Sequence, residues 1–194
     1  VTNSNTINFW HKMGASRVVL ARELSLEEIA TIRKNIAPEM ELEAFCHGAM
    51  CMSYSGRCLM SSYMTGRDPN KGDCAHPCRY KYYLMEEKRP GEYFPIEETE
   101  GGTYIMNSKD MKTISFVEKL IEAGITSLKI EGRVKSAYYI ATVVRAYRRA
   151  IDSYLKDPEN YKFDESLDKE VISSSHRPFT SGFYFGNPME DGQY

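Results

Sequence analysis

The sequence predicts an α/β protein built on parallel strands and interrupted by one cysteine-rich insertion. Three observations predict it. Strand-like apolar runs alternate with helix signals in the first 45 residues, the same rhythm returns after residue 105, and all five cysteines crowd between Cys46 and Cys78.

Taken in order, Val1-Thr2-Asn3 reads as the end of a strand already under way, which suggests a piece of a longer protein. Ile7, Phe9, Trp10 and Met13 suggest a short helix closed by Gly14. Arg17 to Ala21 is a β-branched apolar run suited to a strand buried on both faces. Ser25 and Glu28 form a capping box for a helix striped by Leu26, Ile29, Ile32 and Ile36. Met40 to Phe45 is the next strand, and two βα units in succession imply a parallel sheet.

The pattern then breaks for an insertion, residues 46–105, whose later part from Tyr80 to Ile105 reads as short strands or a hairpin. Ile114, Val117, Leu120 and Ile121 give a helix stopped near Gly124, and Thr126 to Ile130 a strand. The longest helix, Ser136 to Leu155, is expected to bury Ala137, Ile140, Ala141, Val144, Ile151 and Leu155, with Arg145, Arg148 and Arg149 largely opposite. Residues 1–155 form the main domain on this reading. Residues 156–194 form a polar tail, with one helix around Leu167 to Ile172 and an irregular or extended stretch from His176 to Gly186.

A chain of 194 residues with 42% hydrophobic content and a net charge of −2 suits an ordinary globular core and argues against a bulk polyanion binder. Any RNA contact is focal. No apolar run reaches the roughly 18 residues of a membrane span, and no signal-type start is present, so the expected location is the cytoplasm.

Cys51 and Cys58 are separated by six residues, Cys74 follows after fifteen more and Cys78 after another three. Four thiolates from one loop-rich segment suit zinc, copper(I) or an iron–sulfur centre. Only Cys74 and Cys78 have the tight spacing usual in structural zinc sites, which places a [4Fe–4S] cluster ahead of zinc. Disulfides are a third reading, disfavoured in a cytoplasmic protein. No His-Glu-x-x-His is present, and adjacency alone does not make Cys46 and His47 a dyad.

Glu43-Ala44-Phe45-Cys46-His47-Gly48-Ala49-Met50-Cys51, followed by Gly56-Arg57-Cys58-Leu59-Met60-Ser61, resembles the signature of the collagenase-like peptidase family U-32. The resemblance extends to Gly72 to Arg79, to Leu128 to Arg133 and to His176 to Gly186. It implies part of a TIM-like (β/α) barrel truncated at both ends, followed in the family by a β-rich C-terminal domain that is missing here. The family is named for collagen-degrading activity. Several members are linked instead to oxygen-independent hydroxylation of tRNA wobble uridine, of an rRNA cytidine or of quinone precursors, with prephenate as oxygen source and a cysteine-bound iron–sulfur cluster. The stretch Arg17 to Ser25 most resembles the tRNA branch.

Carried onto this sequence, the resemblance makes Cys51, Cys58, Cys74 and Cys78 the cluster ligands and leaves out Cys46, at a variable position. In a barrel, catalytic groups sit at the C-terminal ends of strands, where Arg22-Glu23, Glu43 and Glu131-Gly132-Arg133 fall. Glu43, Glu131 and Arg133 are the candidate catalytic residues. Arg133 and the helix start after it suit a small carboxylate or phosphate, with an Arg–Glu salt bridge as the structural alternative. For Glu43 the alternative is a lock holding the backbone of the cysteine loop. Arg145, Arg148 and Arg149 suit RNA phosphates, although such a face is more often solvated. Tyr80, Tyr82 and Tyr83 suit stacking on a base, although hairpin packing is commoner.

Overall fold

A computed structural model describes residues 1–51, 53–80, 82–92, 94–95, 109–133 and 135–187. The chain divides into two compact units, Val1–Met50 with Asp110–Pro188, and Cys51–Lys109. The first opens with α1 (Ser4–Lys12), β1 (Arg17–Val19), α2 (Leu26–Lys34) and β2 (Glu41–Ala49). The second holds α3 (Met60–Thr65) and the short strands β3 (Tyr83–Leu84) and β4 (Phe94–Pro95). The first resumes with β5 (Asp110–Lys112), α4 (Val117–Glu122), β6 (Ser127–Ile130), α5 (Ala137–Lys156), α6 (Glu165–Ile172) and β7 (Phe179–Thr180).

Local signals place most of the first unit. Val1 pairs like a strand, its ammonium donating to the Val19 carbonyl and its own carbonyl accepting from Ala21 N–H. The expected capping box opens α2: Ser25 Oγ accepts the Glu28 N–H and the Glu28 carboxylate accepts the Ser25 N–H. β2 is the central strand. It pairs in parallel with β1 and with β6, as two successive βα units require, and its last three residues pair antiparallel with β5. β7 then adds in parallel to β5. The described strands form an open sheet, so the barrel closure expected from the resemblance is not present among the described residues.

β2 runs four residues beyond its expected end at Phe45, through Cys46, His47, Gly48 and Ala49. Pairing with β5 carries it on, and Gly48 at φ +99° makes the turn of backbone that follows a register shift between Phe45 and His47. Cys46 is consequently a core residue, 0% exposed, with burial pushing its thiol pKa well up.

α5 reverses its expected orientation. Its buried residues are Tyr139, Thr142, Val143, Ala146, Tyr147 and Ala150, whereas Ala137, Ala141, Val144 and Leu155 are exposed and Ile140 and Ile151 only half-buried. The helix has two apolar faces, and periodicity alone picked the purely aliphatic one. The face that packs carries two tyrosine rings, each burying more area than a Val or Ala, and the Tyr147 hydroxyl donates to the Cys46 carbonyl in β2. The outward face forms an open groove lined by Ala137, Ile140, Ala141 and Val144 and rimmed by Arg145, Arg148 and Arg149.

α6 packs on α5, and its Glu170 accepts from Arg145 Nε at 2.7 Å. In the second unit β3 and β4 form an antiparallel pair, in keeping with the expected hairpin; the rest of that reading, from residue 96 to Ile105, lies outside the described residues, as does the Tyr83 side chain.

Candidate functional site

In the second unit the cysteines are held by a scaffold of side chain to backbone bonds. Asn70 brackets Cys58, its Oδ1 accepting the Cys58 N–H at 3.2 Å and its Nδ2 donating to the Cys58 carbonyl at 2.8 Å. Ser61, the fixed serine of the signature, is fully buried and its Oγ accepts the Ala75 N–H at 3.0 Å, tying α3 to the Cys74 segment. His76 adopts the left-handed conformation at φ +58°, rare for a residue other than glycine, and its N–H reaches Cys74 Sγ at 3.3 Å. Tyr80 and Tyr82 donate their hydroxyls to the carbonyls of Ala75 and Pro77. Both tyrosines brace the segment that carries Cys74 and Cys78.

Cys51, Cys58, Cys74 and Cys78 are all half-buried, and none forms a disulfide. Burial raises the Cys78 thiol pKa, and the neighbouring Cys51, Cys74 and Cys58 thiolates raise it further against the pull of Arg79. The Cys78 thiol therefore lies within electrostatic reach of the other three. Among the described residues, however, no group of three or more His, Cys, Asp or Glu side chains is gathered as tightly as a single metal ion requires. A zinc ion would need sulfurs about 2.3 Å from one centre. The donor set suits a sulfur-ligated centre, and N–H to sulfur bonds such as that on Cys74 are a usual tuning element of clusters.

In the first unit, Glu43 lies on the β2 face that looks across to β6. Its carboxylate accepts from Ser127 Oγ at 2.9 Å and from Lys129 Nζ at 3.0 Å, with Arg17 at 3.6 Å. Burial alone would raise its pKa; the hydrogen bonds from Lys129 and Ser127 and the charges of Lys129 and Arg17 outweigh that and lower it. Glu43 thus ties strand to strand through side chains of β1 and β6, and among the described residues no backbone bond from the cysteine loop to its carboxylate is seen, unlike the lock expected of it. Lys129 lies on this same face, its ammonium 5.4 Å from the Phe45 ring centre.

Glu131 and Arg133 sit in the turn after β6. Glu131 Oε1 accepts the Arg133 backbone N–H at 3.1 Å, its N–H donates to the His47 carbonyl, and the Arg133 side chain is exposed. Arg145, Arg148 and Arg149 each meet a carboxylate, of Glu170, Asp152 and Asp164 with Glu170 respectively, which accords with a solvated, neutralised face.

A second constellation in this unit was not predicted. His47, 1% exposed at the end of β2, packs against the rings of Tyr139, Tyr147 and Phe179. Tyr147 donates its hydroxyl to the Cys46 carbonyl at 2.8 Å and accepts the Thr113 N–H at 2.9 Å. Its oxygen also lies 3.3 Å from His47 Nδ1. With the phenol proton committed to Cys46, Nδ1 is the donor, and His47 Nε2 carries the lone pair. Burial, against the attraction of Asp110 and with the added repulsion of Lys112, Lys135 and His176, lowers the His47 pKa to about 4, so the ring is neutral at pH 7. Asp110 is itself buried, held by the Arg177 guanidinium at 3.0 Å with Lys135 Nζ at 3.7 Å. Three stretches of the resemblance, Glu43 to Cys51, Leu128 to Arg133 and His176 to Gly186, meet here, the Glu131 N–H donating to the His47 carbonyl and the Phe179 ring lying against His47. The signal in the sequence was the spacing of Tyr139, Val143 and Tyr147, one per turn on one side of α5.

The chain is 42% identical to "tRNA hydroxylation protein P" of Escherichia coli, over 98% of this chain and 50% of that one. It is also 42% identical to "tRNA hydroxylation protein P1" of Bacillus subtilis, over 100% of this chain and 45% of that one. With a "Collagenase" of Porphyromonas gingivalis it shares 34% identity over 97% of this chain and 46% of that one. The chain spans about half the length of these relatives. No solved structure matches it. The model of peptidase family U32 matches residues 1–194, the whole length, and the chain belongs to that family.

Proposed function

We propose that this chain is part of an iron–sulfur enzyme that hydroxylates tRNA at the wobble uridine without molecular oxygen, with prephenate as the oxygen source. The observation that carries the reading is the presence of four half-buried free cysteines, Cys51, Cys58, Cys74 and Cys78, within one braced unit, taken with relatives named for tRNA hydroxylation. In this reading the four thiolates hold a [4Fe–4S] cluster, which supplies one-electron chemistry when bound. The His76 N–H on Cys74 and the Asn70 clamp on Cys58 set the positions of two of those sulfurs. Glu43, kept ionised by Lys129, Ser127 and Arg17, holds β2 against β6. Among the described residues no helix is long and apolar enough to cross a membrane, and we place the protein in the cytoplasm with its tRNA.

The test is iron and acid-labile sulfide on full-length protein purified without oxygen, together with nucleoside mass spectrometry of tRNA from a Cys58→Ser strain. Iron and sulfide near four per chain, and loss of the wobble hydroxyl in that strain, support the reading. Zinc without iron or sulfide, with the tRNA modification intact, sinks it. The collagenase relative favours a second reading, peptide hydrolysis with structural cysteines around zinc, which stands if zinc is found without iron and peptide cleavage survives in the same sample. Loss of an rRNA or quinone hydroxyl instead of the tRNA one would move the substrate and keep the chemistry.

A further inference from the structure

We propose that the rings of Tyr80 and Tyr82, with the thioether of Met64 and the guanidinium of Arg67, form a stacking platform for one unpaired nucleobase of the RNA substrate. Tyr80 is 58% and Met64 46% exposed. The three uncharged side chains adjoin: the tyrosine ring centroids are 6.5 Å apart, and the Tyr82 hydroxyl lies 3.6 Å from Met64 Sδ. The proposal rests on the tRNA reading and adds to it the residues that hold a base.

The hydroxyls decide what the rings can do. Each is spent within the unit, that of Tyr80 on the Ala75 carbonyl at 3.1 Å and that of Tyr82 on the Pro77 carbonyl at 2.7 Å. A phenol so committed has no proton left to donate to a ligand, and what the exposed Tyr80 ring offers is its π face. The same bonds fix the rings before anything binds, so stacking on them costs little side-chain entropy. A face of that kind accepts any flat base without reading it by hydrogen bonds.

Charge selects the partner. From Cys51 to Tyr82 the sequence carries Arg57, Arg67, Lys71, Arg79 and Lys81 against Asp68 and Asp73, a local cationic excess in a chain of net charge −2. Arg67 is exposed and within electrostatic reach of Tyr80. Its ion pair with Asp73 is itself at the surface, so exchanging that partner for a phosphate costs little. A polyanion with unpaired bases matches both the rings and the cations, whereas an apolar protein surface matches the rings alone. Ala75 follows Cys74 and Pro77 precedes Cys78, so the platform is built on the segment that carries two of the candidate sulfur ligands.

The test compares Tyr80→Phe with Tyr80→Leu in the full-length protein purified without oxygen. Both lack the hydroxyl and its bond to Ala75, and only phenylalanine keeps a ring, so their difference isolates stacking. The probe is a fluorescently labelled single-stranded oligouridylate, followed by anisotropy. Tyr80→Leu is expected to bind it about tenfold more weakly than Tyr80→Phe, the loss of one stacked base. Arg67→Gln is expected to flatten the dependence of log K on log salt by about 0.7, one phosphate contact on a single strand. Equal binding by the two Tyr80 variants overturns the proposal. So does iron that falls in Tyr80→Leu but not in Tyr80→Phe, since the ring would then act through the fold of the cysteine unit. Equal binding together with a protein dimer that dissociates only in Tyr80→Leu marks a face for a second copy and also overturns it. If wild-type protein holds iron and hydroxylates tRNA while the two variants bind equally, the platform falls and the tRNA reading stands. A tenfold ring effect in protein without iron or hydroxylation overturns the cluster reading and leaves the platform standing.

Discussion

A Cβ placed on Gly48 would lie 2.1 Å from the carbonyl oxygen of Glu131. The glycine of the family signature and the glutamate of the later Glu131-Gly132-Arg133 turn are thus in backbone contact, 83 residues apart in sequence. The contact is reinforced by the Glu131 N–H bonded to the His47 carbonyl at 2.8 Å.

Gly48→Ala is expected to unfold the first unit. The clash is with backbone, which cannot swing aside like a side chain, and φ +99° is itself a conformation that an L side chain resists. The combined cost is on the order of 4 kcal/mol or more, a large share of the 5–15 kcal/mol that holds a typical domain. Urea unfolding of the full-length variant is the measurement; a midpoint within error of wild type would show that the β2 to β6 contact is looser than described.

Neighbouring valines on α5 report which face packs. Val143 is 0% exposed and Val144 47% exposed. Val143→Ala should cost about 2 kcal/mol through lost burial and the cavity left behind, whereas Val144→Ala should stay within about 0.5 kcal/mol. Equal costs at the two positions in the full-length protein would mean that the groove along Ala137, Ile140, Ala141 and Val144 is covered in solution.

That helix shows where sequence reading succeeds and fails. The capping box of α2 and the strands β1 and β6 were legible because their causes are local: a serine three residues before a glutamate, the valine pair of β1, and Leu128 and Ile130 alternating with polar residues in β6. The α5 orientation was not, since choosing between its faces depends on Thr113, Cys46 and His47, which lie 34, 101 and 100 residues from Tyr147. The extension of β2 was hidden for the same reason, its partner β5 following only after the whole insertion. The cysteines were legible by count and crowding alone. His47 was visible as a residue, but its importance arises from tyrosines on a helix whose packing face the pattern left ambiguous.

Stability should fall as the pH drops below neutrality. A histidine pKa lowered from 6.5 to about 4 means that the unfolded chain takes up this proton before the folded one does. The His47 contribution is therefore complete above about pH 6.5 and is lost progressively as the pH falls toward about 4, amounting to roughly 3 kcal/mol over that window. The check is urea unfolding from pH 7 to pH 4.5 in wild type and His47→Asn. The variant should lack this part of the slope, and parallel profiles would show that His47 is not the group responsible.

Asp110→Asn should be more damaging than any loss of an exposed ion pair. Its carboxylate, 1% exposed, accepts from the Arg177 guanidinium and backbone N–H and lies by Lys135. Neutralising it leaves two cations without their buried counter-charge, a change that costs about 3–5 kcal/mol where a buried pair is broken. Arg148→Ala, which removes an exposed pair with Asp152, should change stability by less than about 1 kcal/mol. Thermal unfolding of the two variants under the same conditions decides it, and equal shifts would place Asp110 in a far wetter setting than its burial indicates.

Cys46 and Cys78 should separate packing from ligation. Cys46 is fully buried in β2, its backbone carbonyl accepting from both Tyr147 and Thr113 and its thiol held protonated by burial. Cys46→Ser puts a hydroxyl among apolar neighbours and should cost about 1–3 kcal/mol while leaving the iron content of the anaerobic full-length protein unchanged. Cys78 is half-buried and feels Cys51, Cys58 and Cys74. Cys78→Ser removes a soft ligand and should lower iron and sulfide sharply, with any loss of stability following the loss of the cluster. Iron lost equally in the two variants would mean that Cys46 belongs to the ligand set, and that β2 opens to admit the metal.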